Sequence, residues 1–205
     1  MNKPDHSRLQ LNRRQFVQLI SSSALLAPGL AWGDALAQAN AQQANRDRAY
    51  QNLQDPWLTI AEVQLHLLPA DEQSPGAEQI GALRFLQTML QAQNDPQESE
   101  FIQQGVTWLN QLANKQHQAD FKQLEVAQRE KLLRQIETSD AGARWLSSLM
   151  TYLIEALLSD PVYGGNKNRR GWQWLEHIPG FPTPSADKVY FKLGAHASSR
   201  RRTKA

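Results

Sequence analysis

Four histidines lie downstream of the N-terminal segment: His66, His117, His177 and His196. An imidazole can act as a general base or bind a divalent metal, but either role needs partner groups at short range. These four fall in separate segments with no His-x-x-x-His spacing, so each reads as a solvated or hydrogen-bonded side chain. The serines include no Gly-x-Ser-x-Gly nucleophile elbow. Asp71 and Glu72 are adjacent carboxylates in a polar loop and could do acid–base work only if folding buried one of them. Glu155 falls beside an apolar helical stripe, which surface exposure or a single buried salt bridge explains. Gly164-Gly165-Asn166 lacks the Gly-x-Gly-x-x-Gly pattern and the preceding strand of a dinucleotide loop. Cysteine is absent, which removes thiolate iron–sulfur ligation and haem attachment through Cys-x-x-Cys-His. The residues therefore supply no catalytic, cofactor-binding or metal-binding constellation.

The N-terminus carries an address instead. Asn12-Arg13-Arg14-Gln15-Phe16-Val17 opens a modestly apolar run that ends near Ala35-Leu36-Ala37. Arg13, Arg14 and Phe16 read as a twin-arginine export signal, and Ala35 and Ala37 as a signal-peptidase site. Gln18, Ser21, Ser22, Ser23, Pro28 and Gly29 dilute the run, which makes it a poor permanent anchor. Twin-arginine export moves proteins that are already folded, often with a cofactor or partner inserted. The expected location is the periplasm, reached through the twin-arginine translocation machinery.

Charge adds little to this. The leader holds Lys3, Arg8, Arg13 and Arg14 against only Asp5 and Asp34, so the formal net charge of +2 is carried there. The near-balanced remainder gives no argument for a nucleic-acid partner. Arg200, Arg201, Arg202 and Lys204 make a basic tail that reads as solvated.

The elements that would position any site are helical. Leu58, Val63, Leu65, Leu67 and Leu68 form a short pattern stopped by Pro69. Ser74 and Pro75 are suited to cap and begin the next helix, whose apolar face is Ile80, Leu83, Phe85, Leu86 and Leu90. Asp95-Pro96-Gln97-Glu98 is a start signal for a helix bearing Phe101, Ile102, Val106, Trp108, Leu109 and Leu112. Leu124, Val126, Leu132, Leu133 and Ile136 follow on another. Asp140 is placed to cap the clearest helix, in which Trp145-Leu146, Leu149-Met150, Leu153-Ile154 and Leu157-Leu158 recur every four residues. It ends at Ser159-Asp160-Pro161.

Beyond Pro161 no period survives, and Tyr163, Trp172, Trp174 and Phe181 alternate with glycines and prolines. A long aperiodic stretch of this kind binds something or is pinned down. The expected organisation is a leader over 1–37, a linker over 38–56, a helical domain over 57–160, an irregular arm over 161–187 and a basic tail over 188–205. The fold class is all-α, a small bundle of about five helices with that arm at its C-terminal end.

The arm also carries the most specific motif. Asp160-Pro161-Val162-Tyr163-Gly164-Gly165-Asn166, then Gly171-Trp172, then Gly180-Phe181-Pro182, resembles the signature of the gluconate 2-dehydrogenase subunit 3 family. Leu68-Pro69-Ala70-Asp71 through Ser74-Pro75-Gly76-Ala77 and the twin-arginine leader add to the resemblance. The seven residues between Trp172 and Gly180 exceed the family's spacing, and Thr183 stands where a glycine is usual. The resemblance implies an accessory subunit of a membrane-associated, flavin-dependent sugar or sugar-acid dehydrogenase. FAD would sit in the large partner subunit, none in this chain, and a cytochrome c subunit would pass electrons on to the membrane. Membrane association would then be indirect. On this reading Asp160, Pro161, Tyr163, Gly164, Gly165, Asn166, Gly171, Trp172, Gly180, Phe181 and Pro182 are the candidate partner interface. A stand-alone exported enzyme and a sugar-binding module are the alternatives that the residues leave open.

Overall fold

The computed structural model describes residue 50 and residues 52–93 and 95–192. The leader residues Arg13, Arg14, Phe16, Ala35 and Ala37, most of the expected linker, and the terminal basic run lie outside the described residues. The described residues form helices and turns with no strand. Five helices of at least eleven residues build the bundle: α1 (Trp57–Leu67), α3 (Ala82–Gln93), α4 (Pro96–His117), α5 (Val126–Glu137) and α6 (Asp140–Leu158). A single-turn helix, α2 (Ala77–Ile80), leads into α3, and a short α7 (Arg170–Trp174) lies in the arm. The all-α expectation holds.

Local signals set the helix ends. Asp55 precedes α1, and its Oδ1 accepts from the Thr59 backbone N–H at 3.0 Å and the Thr59 hydroxyl at 2.7 Å. Asp95 caps α4 as expected, accepting from the Gln97 and Glu98 amides, and Pro96 occupies the first position. Two caps differ from expectation. Ser74 does not begin α2, because the Asp71 carboxylate takes the Ser74 amide at 2.5 Å and closes a turn there. The helix starts at Ala77, where the Gln79 side chain accepts from the Gly76 amide. The α6 cap is Ser139, whose hydroxyl accepts from the Gly142 amide, and Asp140 becomes the first helical residue, well placed for the helix dipole.

The core sits around α6, which packs against α1, α3, α4 and α5. Ile60, Ile80, Leu86, Ile102, Leu109, Phe121, Leu132, Trp145, Leu149 and Leu153 are fully enclosed. The crossing of α4 and α6 is close because Gly105 has no side chain: a Cβ there would stand 2.1 Å from the Trp145 indole nitrogen. That nitrogen donates to the Ile102 carbonyl at 2.9 Å, so the ring is both packed and satisfied. On the other side Arg129 of α5 donates to the Leu124 and Lys122 carbonyls and to the Glu62 carboxylate of α1. His66 of α1 meets Glu130 of α5 at 2.7 Å.

Candidate functional site

The arm begins where α6 stops. Pro161 cannot continue the helix, and the Asp160 carboxylate accepts from the Val162 amide at 3.0 Å to seed one 3-10 turn, Pro161–Tyr163. Gly164 then adopts a φ of 96°, in the left-handed region that a side chain disfavours, and turns the chain back toward α6. Asn166 follows, fully buried. Its Nδ2 donates to the Ser159 carbonyl at 2.9 Å and its Oδ1 accepts from the Gly171 amide at 2.8 Å. One carboxamide therefore satisfies the C-terminal end of α6 and the start of α7 together. Between them a second 3-10 turn, Lys167–Arg169, carries exposed side chains on its outer side.

The rest of the joint depends on close backbone approach. A Cβ on Gly171 would lie 2.1 Å from the Leu157 carbonyl oxygen, and one on Gly165 would lie 2.6 Å from the Ala156 carbonyl. Gly171 thus brings Trp172 onto the end of α6, where the indole N–H donates to the Leu158 carbonyl at 2.8 Å. Arg169 lies over the same ring at 5.9 Å and His177 meets its edge at 5.6 Å. The segment that looked irregular in sequence is therefore ordered by side-chain capping and helix-end carbonyls, which no hydrophobic period announces.

Residues beyond Trp172 behave differently. Trp174 and Leu175 are about half in water, Ile178 is 88% exposed and Phe181 97% exposed. Gly180 has no atom within 4 Å of a notional Cβ, and Pro182 is exposed. The chain then returns. Val189 is buried, and Tyr190 and Phe191 pack on Tyr163 with ring centroids 5.7 and 6.1 Å away. The Tyr190 hydroxyl also reaches the Met89 sulfur on α3. The sequence places residues 188–205 in a basic tail whose charged run, Arg200 to Lys204, lies outside the described residues. The return of residues 189–191 carries apolar contact past that boundary, with Val189 buried and Tyr190 and Phe191 against the Tyr163 ring.

Of the candidate interface residues, Asp160, Pro161, Tyr163, Gly164, Gly165, Asn166, Gly171 and Trp172 come together as one intramolecular joint. Gly180, Phe181 and Pro182 stand apart from it in water. The residues read for catalysis do not converge. His66 pairs with Glu130, His117 approaches Gln128 at 3.5 Å, and His196 lies outside the described residues. Asp71, Glu72 and Glu155 are exposed. Among the described residues no cluster of three histidines or carboxylates could hold a metal ion. No helix among them is long and apolar enough to cross a membrane.

The described residues thus make a helical bundle with an ordered joint and an exposed apolar loop beyond it. A family model described as gluconate 2-dehydrogenase subunit 3 matches residues 54–180, more than half of the chain, and takes in α1 to α7, the joint and the loop as far as Gly180. The chain belongs to the gluconate 2-dehydrogenase subunit 3 family. Neither a curated protein nor a solved structure matches it.

Proposed function

We propose that this chain is the non-catalytic small subunit of a membrane-associated, FAD-dependent sugar or sugar-acid dehydrogenase of the gluconate type. It stabilises the flavoprotein large subunit and takes it through twin-arginine export to the periplasm. The observation that carries this reading is membership, across the whole bundle and joint, of a family described as a dehydrogenase subunit. Two sequence features support it. The Arg13-Arg14 leader suits folded cargo, and a chain without cysteine has no thiolate with which to hold an iron–sulfur or covalent haem centre. The redox chemistry then belongs to the partner, where FAD oxidises the substrate and a cytochrome c subunit accepts the electrons.

The test is export of the flavoprotein. Replacing Arg13→Lys and Arg14→Lys together, or deleting the chain, leaves flavin-dependent dehydrogenase activity in the cytoplasm. A flavoprotein that reaches the periplasm in normal amount without this chain would sink the proposal.

A further inference from the structure

The loop between Trp172 and Val189 is fixed at both ends and free in the middle. At one foot Trp172 is buried and bonded to α6, and at the other Val189 is buried while Tyr190 lies tilted against the Tyr163 ring and Phe191 meets it edge-on. Between the feet no residue is buried, yet Trp174, Leu175, Ile178 and Phe181 all project there. Apolar side chains on a freely moving tail would fold back onto the bundle or be diluted among conformers. Held at two buried feet, they are presented outward, and less ordering remains to be done when something covers them. Large side chains present about 150–250 Å² each, so these four leave roughly 500 Å² of apolar surface in water. That is most of the ~800 Å² that one side of a standard protein interface contributes.

The surface next to the loop is basic. Lys167, Arg169 and Arg170 are exposed on the turn leading into α7, and none has an ion-pair partner among the described residues. Arg169 and His177 contact the same Trp172 ring, which places the cationic turn beside the start of the loop. Depletion of charge at the centre with charge at the rim is the pattern of a protein interface. Glu176, exposed within the loop itself, makes an anionic lipid surface the poorer match.

We infer that the projecting loop, and not the Asp160–Trp172 joint, is the docking element for the flavoprotein subunit. Ile178 and Phe181 enter an apolar groove on that partner, and carboxylates at the groove's rim face Lys167 and Arg170. The inference rests on the function proposed above, which supplies the partner.

The experiment captures affinity-tagged full-length chain from cells expressing its native complex. It reads the flavin absorbance and the sugar- or sugar-acid-dependent dye reduction of the captured material. Ile178→Ser with Phe181→Ser lowers captured flavin about tenfold or more, as loss of central apolar anchors does, with an unchanged melting temperature. Lys167→Glu with Arg170→Glu lowers it as well, more strongly at low salt. Absence of flavin from the wild-type capture overturns the functional proposal itself. Flavin captured equally by wild type and the loop variant overturns the inference and leaves that proposal standing. A loop variant that keeps its flavin but loses flotation with phosphatidylglycerol vesicles also overturns it, and assigns the loop to lipid.

Discussion

The side-chain oxygen of Asn166 accepts the backbone N–H of Gly171 at 2.8 Å, in an environment closed to water. The same amide group donates to the Ser159 carbonyl, so one residue splices the end of α6 to the start of α7. Leaving a buried donor or acceptor unsatisfied costs about 1–3 kcal/mol for each group. Asn166→Ala orphans the Gly171 amide and the Ser159 carbonyl together. The expected loss is therefore about 2–4 kcal/mol of unfolding free energy, read from urea denaturation of the isolated chain. A loss near zero would mean that water reaches the joint.

The glycines of the signature separate by what surrounds them. Gly171→Ala sets a methyl against the Leu157 carbonyl of a helix that cannot yield without breaking its own bonds, and overpacking of this kind costs about 1–3 kcal/mol. Gly180→Ala meets open space and should change stability by about 0.5 kcal/mol or less. Equal effects at the two positions, measured as shifts in denaturation midpoint, would contradict the packing of α7 on α6.

Trp172 marks the division between joint and loop. Its indole is buried against α6 and bonded to Leu158, so Trp172→Ala should cost about 3–5 kcal/mol, the range for a large core aromatic. Phe181→Ala removes a side chain already in water and should leave the melting temperature where it is. Calorimetry on the two variants separates them. A drop of similar size in both would place Phe181 inside the fold.

Acid should weaken the α1–α5 contact. The His66 hydrogen bond at 2.7 Å holds the Glu130 carboxyl below its ordinary value of 4.5; partial burial opposes this and Arg134 adds to it. At Asp55, partial burial pushes upward, but hydrogen bonds from Thr59 and Lys122 outweigh it and the net shift is also downward. A carboxyl whose folded-state pKa is depressed binds its proton more readily in the unfolded chain. Its stabilising contribution is complete above the ordinary value and is lost as pH falls through the folded value. The urea midpoint should fall between about pH 5 and pH 3. Glu130→Gln should make that fall shallower, and an unchanged profile in this variant would remove Glu130 as a contributor.

Much of the bundle is legible from residue spacing because α-helical burial is periodic. Asp95-Pro96 marks the start of α4, and Pro161 marks the end of α6. What spacing could not show was Asn166. A polar residue between glycine and lysine reads as loop, and only the juxtaposition of Ser159 with Gly171 makes it a buried splice. The joint is held by hydrogen bonds to helix-end carbonyls, a kind of order that leaves no hydrophobic pattern. The free loop, in turn, reads as apolar from sequence, but only the fold encloses Trp172 while leaving Phe181 in water.

Within α6 the geometry corrects the sequence stripe in a way that a pair of substitutions can test. Apolar pairs recur every four residues from Trp145-Leu146 to Leu157-Leu158, but a helix turns about 100° per residue, so a four-residue repeat drifts about 40° each time. The second members of the later pairs are therefore carried out of the core, and Ile154 and Leu158 are each half exposed. Tyr152 and Ala156, one residue ahead of Leu153 and Leu157, are carried in and are buried. Leu153→Ala should cost about 2–5 kcal/mol because its side chain is enclosed on all sides. Ile154→Ala, one position along and of equal hydrophobicity, should cost about 1 kcal/mol or less. Urea titrations of the two variants report the rotation of the helix directly, since a larger cost at Ile154 than at Leu153 would require α6 to present the other side of its stripe to the core.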